Sequence, residues 1–160
     1  MNLYCFMKEN GIYYCDYTND MRYCHTPPND INDLEIDNFY VFNNVYWEKG
    51  EDKNTIYIVT IKNSDKIYIA KGQNDFYSSI LPFSTSVIDI MKIDDSLVVI
   101  PANSNKVFKT TDFGISWTTI DVPIEGKINA GFSCYTNSTS KKFVLLANNK
   151  LVVVCSQDFT

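Results

Sequence analysis

The stretch KTTDFGISW, Lys109 to Trp117, decides the fold. It links a strand-like run at Lys106–Thr111 to another at Trp117–Val122. Asp112 can accept hydrogen bonds from backbone N–H groups of its own turn. Gly114 permits a positive φ at the corner, and Trp117 opens the next strand with a large ring to bury. All three roles are structural, so the stretch reads as a hairpin corner rather than a catalytic motif.

Partial copies of this corner recur along the chain. Thr110-Thr111-Asp112-Phe113-Gly114 has counterparts in Gln73-Asn74-Asp75-Phe76-Tyr77 and in Ser156-Gln157-Asp158-Phe159-Thr160, with a weaker one in Thr18-Asn19-Asp20-Met21-Arg22. Each follows a strand-like run: GIYYCDY, KIYIAKG, KVFK or KLVVVCS. The aspartates Asp20, Asp75, Asp112 and Asp158 stand 55, 37 and 46 residues apart. These intervals bracket the roughly 40–50 residues of a four-stranded propeller blade.

Thr110-x-Asp112-x-Gly114-x-Ser116-Trp117 resembles the Asp-box, or BNR repeat, of pattern Ser/Thr-x-Asp-x-Gly-x-x-Trp. That family includes sialidases, sortilin-type receptors and phage tail proteins. The resemblance implies a β-propeller in which the box joins the third and fourth strands of a blade, away from any active site. Only residues 110–117 match the pattern in full; Tyr77 and Ile80 replace Gly and Trp in the copy at 73–80, and Arg22 and His25 do so in the copy at 18–25.

The rest of the chain reads as short strands closed by turns. TIYIVTI, KNSD and KIYIA (residues 55–70) form a hairpin, and residues 143–155 form another around Asn148 and Asn149. No amphipathic helix stands out; a helical turn could start at Asn29 or Asp30. The expected fold is all-β: one propeller-like domain over residues 1–160, with about three and a half to four four-stranded antiparallel blades at 1–25, 39–84, 87–122 and 127–160 and an acidic insertion at 26–38. The short last repeat suggests a small ring, a ring shared between chains, or edges covered by other proteins. Near the start, Asn10-Gly11 predicts a two-residue hairpin loop. That loop would pair Phe6 with Cys15, place Cys5 and Cys15 on opposite faces, and argue against a disulfide between them.

Composition excludes several functions. The net charge of −5 is the wrong sign for a nucleic-acid binder. Arg22 is the only arginine, so the three-arginine clamp on a sialic acid carboxylate cannot be built. His25 is the only histidine and lies beside Pro27-Pro28. Five cysteines without a secretion signal read as reduced thiols. The acidic run Asp30, Asn32, Asp33, Glu35 and Asp37 departs from a calcium loop, because Leu34 and Glu35 stand where Asp/Asn and Gly are needed. No cofactor, metal or membrane insertion is expected, and no signal peptide or membrane span is seen.

These observations predict a non-catalytic structural or interaction protein that binds other protein subunits, by self-association or within a particle. The usage of Asn, Ile, Lys and Tyr suits an AT-rich genome, and with the resemblance points to a phage or prophage particle, in the virion or in the bacterial cytoplasm before lysis. An alternative is a carbohydrate-binding module for a cell-surface glycan, with Tyr40, Tyr46, Trp47 and Tyr77 as stacking candidates. A glycan-cleaving enzyme ranks last.

Overall fold

The structure, a computed structural model, describes residues 3–7, 11–15, 21–25, 28, 30, 31, 33–42, 55–72, 74–83, 85–93, 95–137, 140–147 and 150–155. Among these it contains β-strands and turns, and no helix. β1 (Leu3–Met7), β2 (Gly11–Cys15) and β3 (Met21–His25) form a three-stranded sheet. β4 (Ile36–Phe42), β5 (Ile56–Ile61), β6 (Lys66–Lys71) and β7 (Tyr77–Ile80) form a four-stranded one. A second four-stranded sheet comprises β8 (Val87–Ile93), β9 (Ser96–Pro101), β10 (Lys106–Thr110) and β11 (Thr118–Asp121). The last sheet has three strands, β12 (Ile128–Asn137), β13 (Ser140–Ala147) and β14 (Lys150–Cys155). In every sheet, chain neighbours are sheet neighbours, and the pairs with a resolved register are antiparallel.

The chain divides into two compact units. One comprises residues 1–62 and 66–79, the other residues 63–65 and 80–160. In the first unit, every residue of β5 is buried. Its run of β-branched and aromatic side chains suits a strand covered on both faces. Val59, Ile61 and Tyr68 pack with Ile31, and Leu34, Ile36, Phe39 and Phe76 border them. In the second unit, Met91, Val98, Ile100, Val107 and Val122 meet Ile128 and Leu145 in one core. That core lies between the sheets of β8–β11 and β12–β14. The opposite face of the first of these carries Phe108, paired across to Val99, and Val99 in turn to Ile90. Both faces of that sheet are therefore buried at their centres.

Gly131 sits in β12 where this core is tightest. A Cβ there would lie 2.3 Å from Ile100 Cδ1 and 3.0 Å from Leu145 Cδ2. The absence of a side chain at this position lets the two sheets approach.

Two expectations are corrected. β1 and β2 pair Leu3 with Cys15 and Cys5 with Tyr13, not Phe6 with Cys15. Gly11 already belongs to β2 and pairs with Met7, which does not fit the register of a two-residue Asn10-Gly11 loop. The register that separated Cys5 from Cys15 does not form. The acidic stretch, in turn, is not simply a solvated insertion. Ile31 is fully buried, and β4 starts at Ile36, inside the range assigned to the insertion. None of the described residues in the stretch is helical; Ile31 N–H bonds Pro28 O at 3.3 Å and Leu34 N–H bonds Ile31 O at 3.0 Å.

Candidate functional site

The corner at Thr110–Trp117 is a closed network of short bonds. Thr110, buried at the end of β10, donates its hydroxyl to Asp112 Oδ1 at 2.6 Å. The same hydroxyl oxygen accepts the N–H of Gly114 at 2.8 Å and that of Asp112 at 3.3 Å. Asp112 accepts the Ser116 N–H on Oδ1 at 2.9 Å and the Ser116 hydroxyl on Oδ2 at 2.5 Å. The hydroxyl and N–H of Ser116, with Thr110, hold the Asp112 carboxyl down at about 2. Phe113 and Gly114 both take positive φ, 58° and 88°. Trp117 is half-buried just ahead of β11. Chemically the carboxylate is occupied: its oxygens serve the turn, and its low pKa makes it a poor proton carrier at neutral pH.

The repeat read from the aspartates is corrected by the strands. Asp112 follows the end of β10 by two residues and precedes β11 by six. Asp75 follows the end of β6 by four and precedes β7 by two. The two aspartates therefore occupy opposite ends of their turns. The repeat that the backbone does show is phased by other residues. Asn63-Ser64-Asp65 joins β5 to β6 and Asn103-Ser104-Asn105 joins β9 to β10, with Asn63 and Asn103 in the left-handed region at φ 54° and 57°. Asp20 and Asp158 lie outside the described residues.

The acidic stretch is tied to lysines rather than gathered around a cation. Asp30 Oδ2 meets Lys66 Nζ at 2.6 Å, and Glu35 Oε1 meets Lys62 Nζ at 2.5 Å. Lys66 holds the Asp30 carboxyl below its ordinary value and is itself raised by Asp30. Its ammonium also sits over the Tyr68 ring, 4.7 Å from the centroid. The Tyr68 hydroxyl is buried without a hydrogen-bond partner among the described residues, and burial pushes its pKa up. No group of three or more metal-ligating side chains gathers among the described residues.

Of the candidate stacking residues, the two that are described, Tyr40 and Tyr77, lie on opposite edge strands of one sheet. Tyr40 lies on β4, half-buried, parallel to Phe42 at 6.4 Å and bonded through its hydroxyl to Asn38 Nδ2 at 3.2 Å. Tyr77 lies on β7, at the opposite edge of the same sheet. Tyr46 and Trp47 fall outside the described residues.

A cavity of about 510 Å³ opens in the second unit, and no motif in the sequence announced it. Phe108 forms its buried floor and Thr119, paired across from Phe108, its wall. Pro82 and Phe83, from the β7–β8 connection, also line it, together with residues 103–106 and Gly126-Lys127. The Asn103–Lys106 turn is held by its backbone: Ser104 O accepts the N–H of Ile128 at 2.8 Å and Asn105 O that of Val122 at 2.9 Å. Lys106 reaches Asp121 at 3.2 Å, whereas Lys127 is exposed and has no ion pair among the described residues. Two ammonium groups and no carboxylate line the space.

No family model matches the chain, and no curated protein matches it. A crystal structure of BBS1N in complex with ARL6DN is similar in fold, with a TM-score of 0.63 and 12% sequence identity. The match covers 96% of this chain and 46% of that one, so this chain spans about half the length of its neighbour. The neighbour has a β-propeller-like fold, and this chain, all-β with antiparallel sheets, is similar to it in fold. The likeness does not extend to the Asp-box family: with no matching family model and the aspartates out of phase, the expected BNR membership is withdrawn. Among the described residues, no helix is long and apolar enough to cross a membrane.

Proposed function

We propose that this chain is a non-catalytic protein-interaction module on a propeller-like β fold. One observation carries the reading. In the second unit, Ile80, Phe83 and Ile115 are 58, 63 and 82% exposed, and Phe83 borders the cavity. Phe83 is a large apolar side chain left open at the border of a concave site, which supports an interaction surface there. The titratable groups support a non-catalytic role. The strongly held carboxylate, Asp112, serves its own turn, and Asp30, Glu35, Lys62 and Lys66 serve each other. The fold neighbour, solved in complex with ARL6DN, is an example of such a fold meeting another protein. The AT-rich residue usage adds a context to the proposal, a structural component of a phage or prophage particle.

The test is photo-crosslinking from position 83 or 80 in the source cells, with a benzophenone amino acid in place of Phe83 or Ile80. A discrete protein adduct is expected from at least one position. Background labelling alone from both contradicts the proposal. Recovery of the adduct in purified particles checks the context.

A further inference from the structure

The cavity has a lining whose chemistry selects an occupant. We infer that it docks an extended acidic peptide segment of a protein partner, with one bulky apolar side chain seated between Phe83 and Phe108 and a carboxylate beside Lys127. This deepens the interaction reading above and rests on it.

Three features point the same way. Part of the lining is apolar, from Phe108, Phe83 and Pro82. The volume of about 510 Å³ falls in the range of roughly 300–1,000 Å³ typical of binding cavities. The charge is one-sided: Lys106 and Lys127 line the space with no carboxylate among the lining residues, on a chain of net charge −5. Lys106 is already engaged by Asp121, which lies outside the lining, and Lys127 has no ion pair among the described residues, so it is the lining cation available to a ligand. The rim then supplies polar groups of both kinds. Asn103, Asn105 and Thr119 line the cavity, and all three residues are exposed. Side-chain amides that both donate and accept are suited to the N–H and C=O groups of an extended backbone. An apolar floor, a polar rim and a flanking cation together match a peptide better than a purely apolar small molecule.

The site is also stiff. Backbone bonds from Val122 and Ile128 fix the Asn103–Lys106 turn on its far side, and Ser104 Oγ accepts the Lys106 N–H at 3.0 Å. A preformed turn reduces the ordering cost of binding.

The probe is the pentapeptide Ac-Glu-Asp-Phe-Asp-Glu-NH2, titrated into ¹⁵N-labelled protein and followed by amide chemical shifts. Ac-Lys-Lys-Phe-Lys-Lys-NH2 and the neutral N-acetyl-phenylalanine amide are the comparisons. The acidic peptide is expected to shift the amides of Lys106, Thr119 and Lys127 and to bind at least about tenfold tighter than either comparison. Lys127→Glu should weaken it about tenfold or more, and so should Phe83→Ala; both residues are exposed, so the fold survives. Equal binding of the acidic and basic peptides overturns the inference. So does equal binding of the neutral amide, which would mark a small-molecule pocket, or the absence of shifts at these amides up to about 1 mM peptide. If the peptide fails while crosslinks from Ile80 still capture a protein, the cavity assignment falls and the interaction reading stands.

Discussion

Val122 donates its backbone N–H to the carbonyl oxygen of Asn105 at 2.9 Å, tying the end of β11 to the turn before β10. Leu81 makes the same bond, at the same length, to Asp65, after β7 and before β6. Lys62 and Ala102 match in the same way, each donating at 2.8 Å to the residue before the first strand of its sheet, Glu35 before β4 and Ser86 before β8. These bonds set the repeat of the two four-stranded sheets. They are backbone bonds, indifferent to side-chain identity.

Thr110 is the keystone of the 110–117 corner. Thr110→Val keeps the shape and removes the oxygen that receives the Gly114 N–H. A loss of about 1–2 kcal/mol of stability is expected, measured by urea denaturation. Thr110→Ser should retain most of it.

The low pKa of Asp112 links that corner to acid stability. Its folded value, about 2, lies below the ordinary 3.8. Its contribution is therefore complete above about pH 4 and is lost as pH falls through about 2. Carboxyl chemical shifts against pH should show Asp112 titrating near 2, and Ser116→Ala should move the midpoint up towards the ordinary value.

Asp89 has the opposite sign. Burial on β8 raises its carboxyl above 3.8, against a single opposing bond from the Ile90 N–H at 2.8 Å. The folded state then holds the proton more tightly, so stability falls as pH rises from 3.8 through the raised value. Asp89→Asn is expected to raise the melting temperature at pH 7, with the gain shrinking below pH 4.

Gly131→Ala should cost about 1–3 kcal/mol through overpacking. The atoms it meets, Ile100 Cδ1 and Leu145 Cδ2, belong to fully buried side chains with little room to turn. Ile100→Val removes the nearer atom, so the double variant should be more stable than additivity predicts. Chemical denaturation of the four proteins measures the cycle.

The strands from Thr55 to Lys71 were legible because runs of β-branched and aromatic residues are closed there by turn chemistry, with KNSD marking the hairpin of β5 and β6. The hairpin of β1 and β2 was misread, since Asn10-Gly11 is a strong two-residue signal, whereas Gly11 pairs with Met7 inside the ladder. Asp75 and Asp112 looked equivalent because both precede Phe, yet turns of different length put them at opposite ends. Ile31 was hidden by its acidic neighbours: one isolated apolar residue has no period to reveal it, but it is fully buried. The cavity was illegible for a plainer reason. Phe83, Phe108, Thr119 and Lys127 come from four separate segments, and only the fold brings them together.

The central claim separates a corner that folds the chain from a surface that meets a partner. It is tested most directly by comparing Asp112→Ala with Phe83→Ala, reading melting temperature and photo-crosslinked adduct from position 80 in each. Asp112→Ala is expected to lower the melting temperature and, at a temperature where it remains folded, to keep the adduct. Phe83→Ala is expected to leave the melting temperature unchanged and to lose the adduct. Loss of the adduct in a fully folded Asp112→Ala, with Phe83→Ala unaffected, would contradict the account.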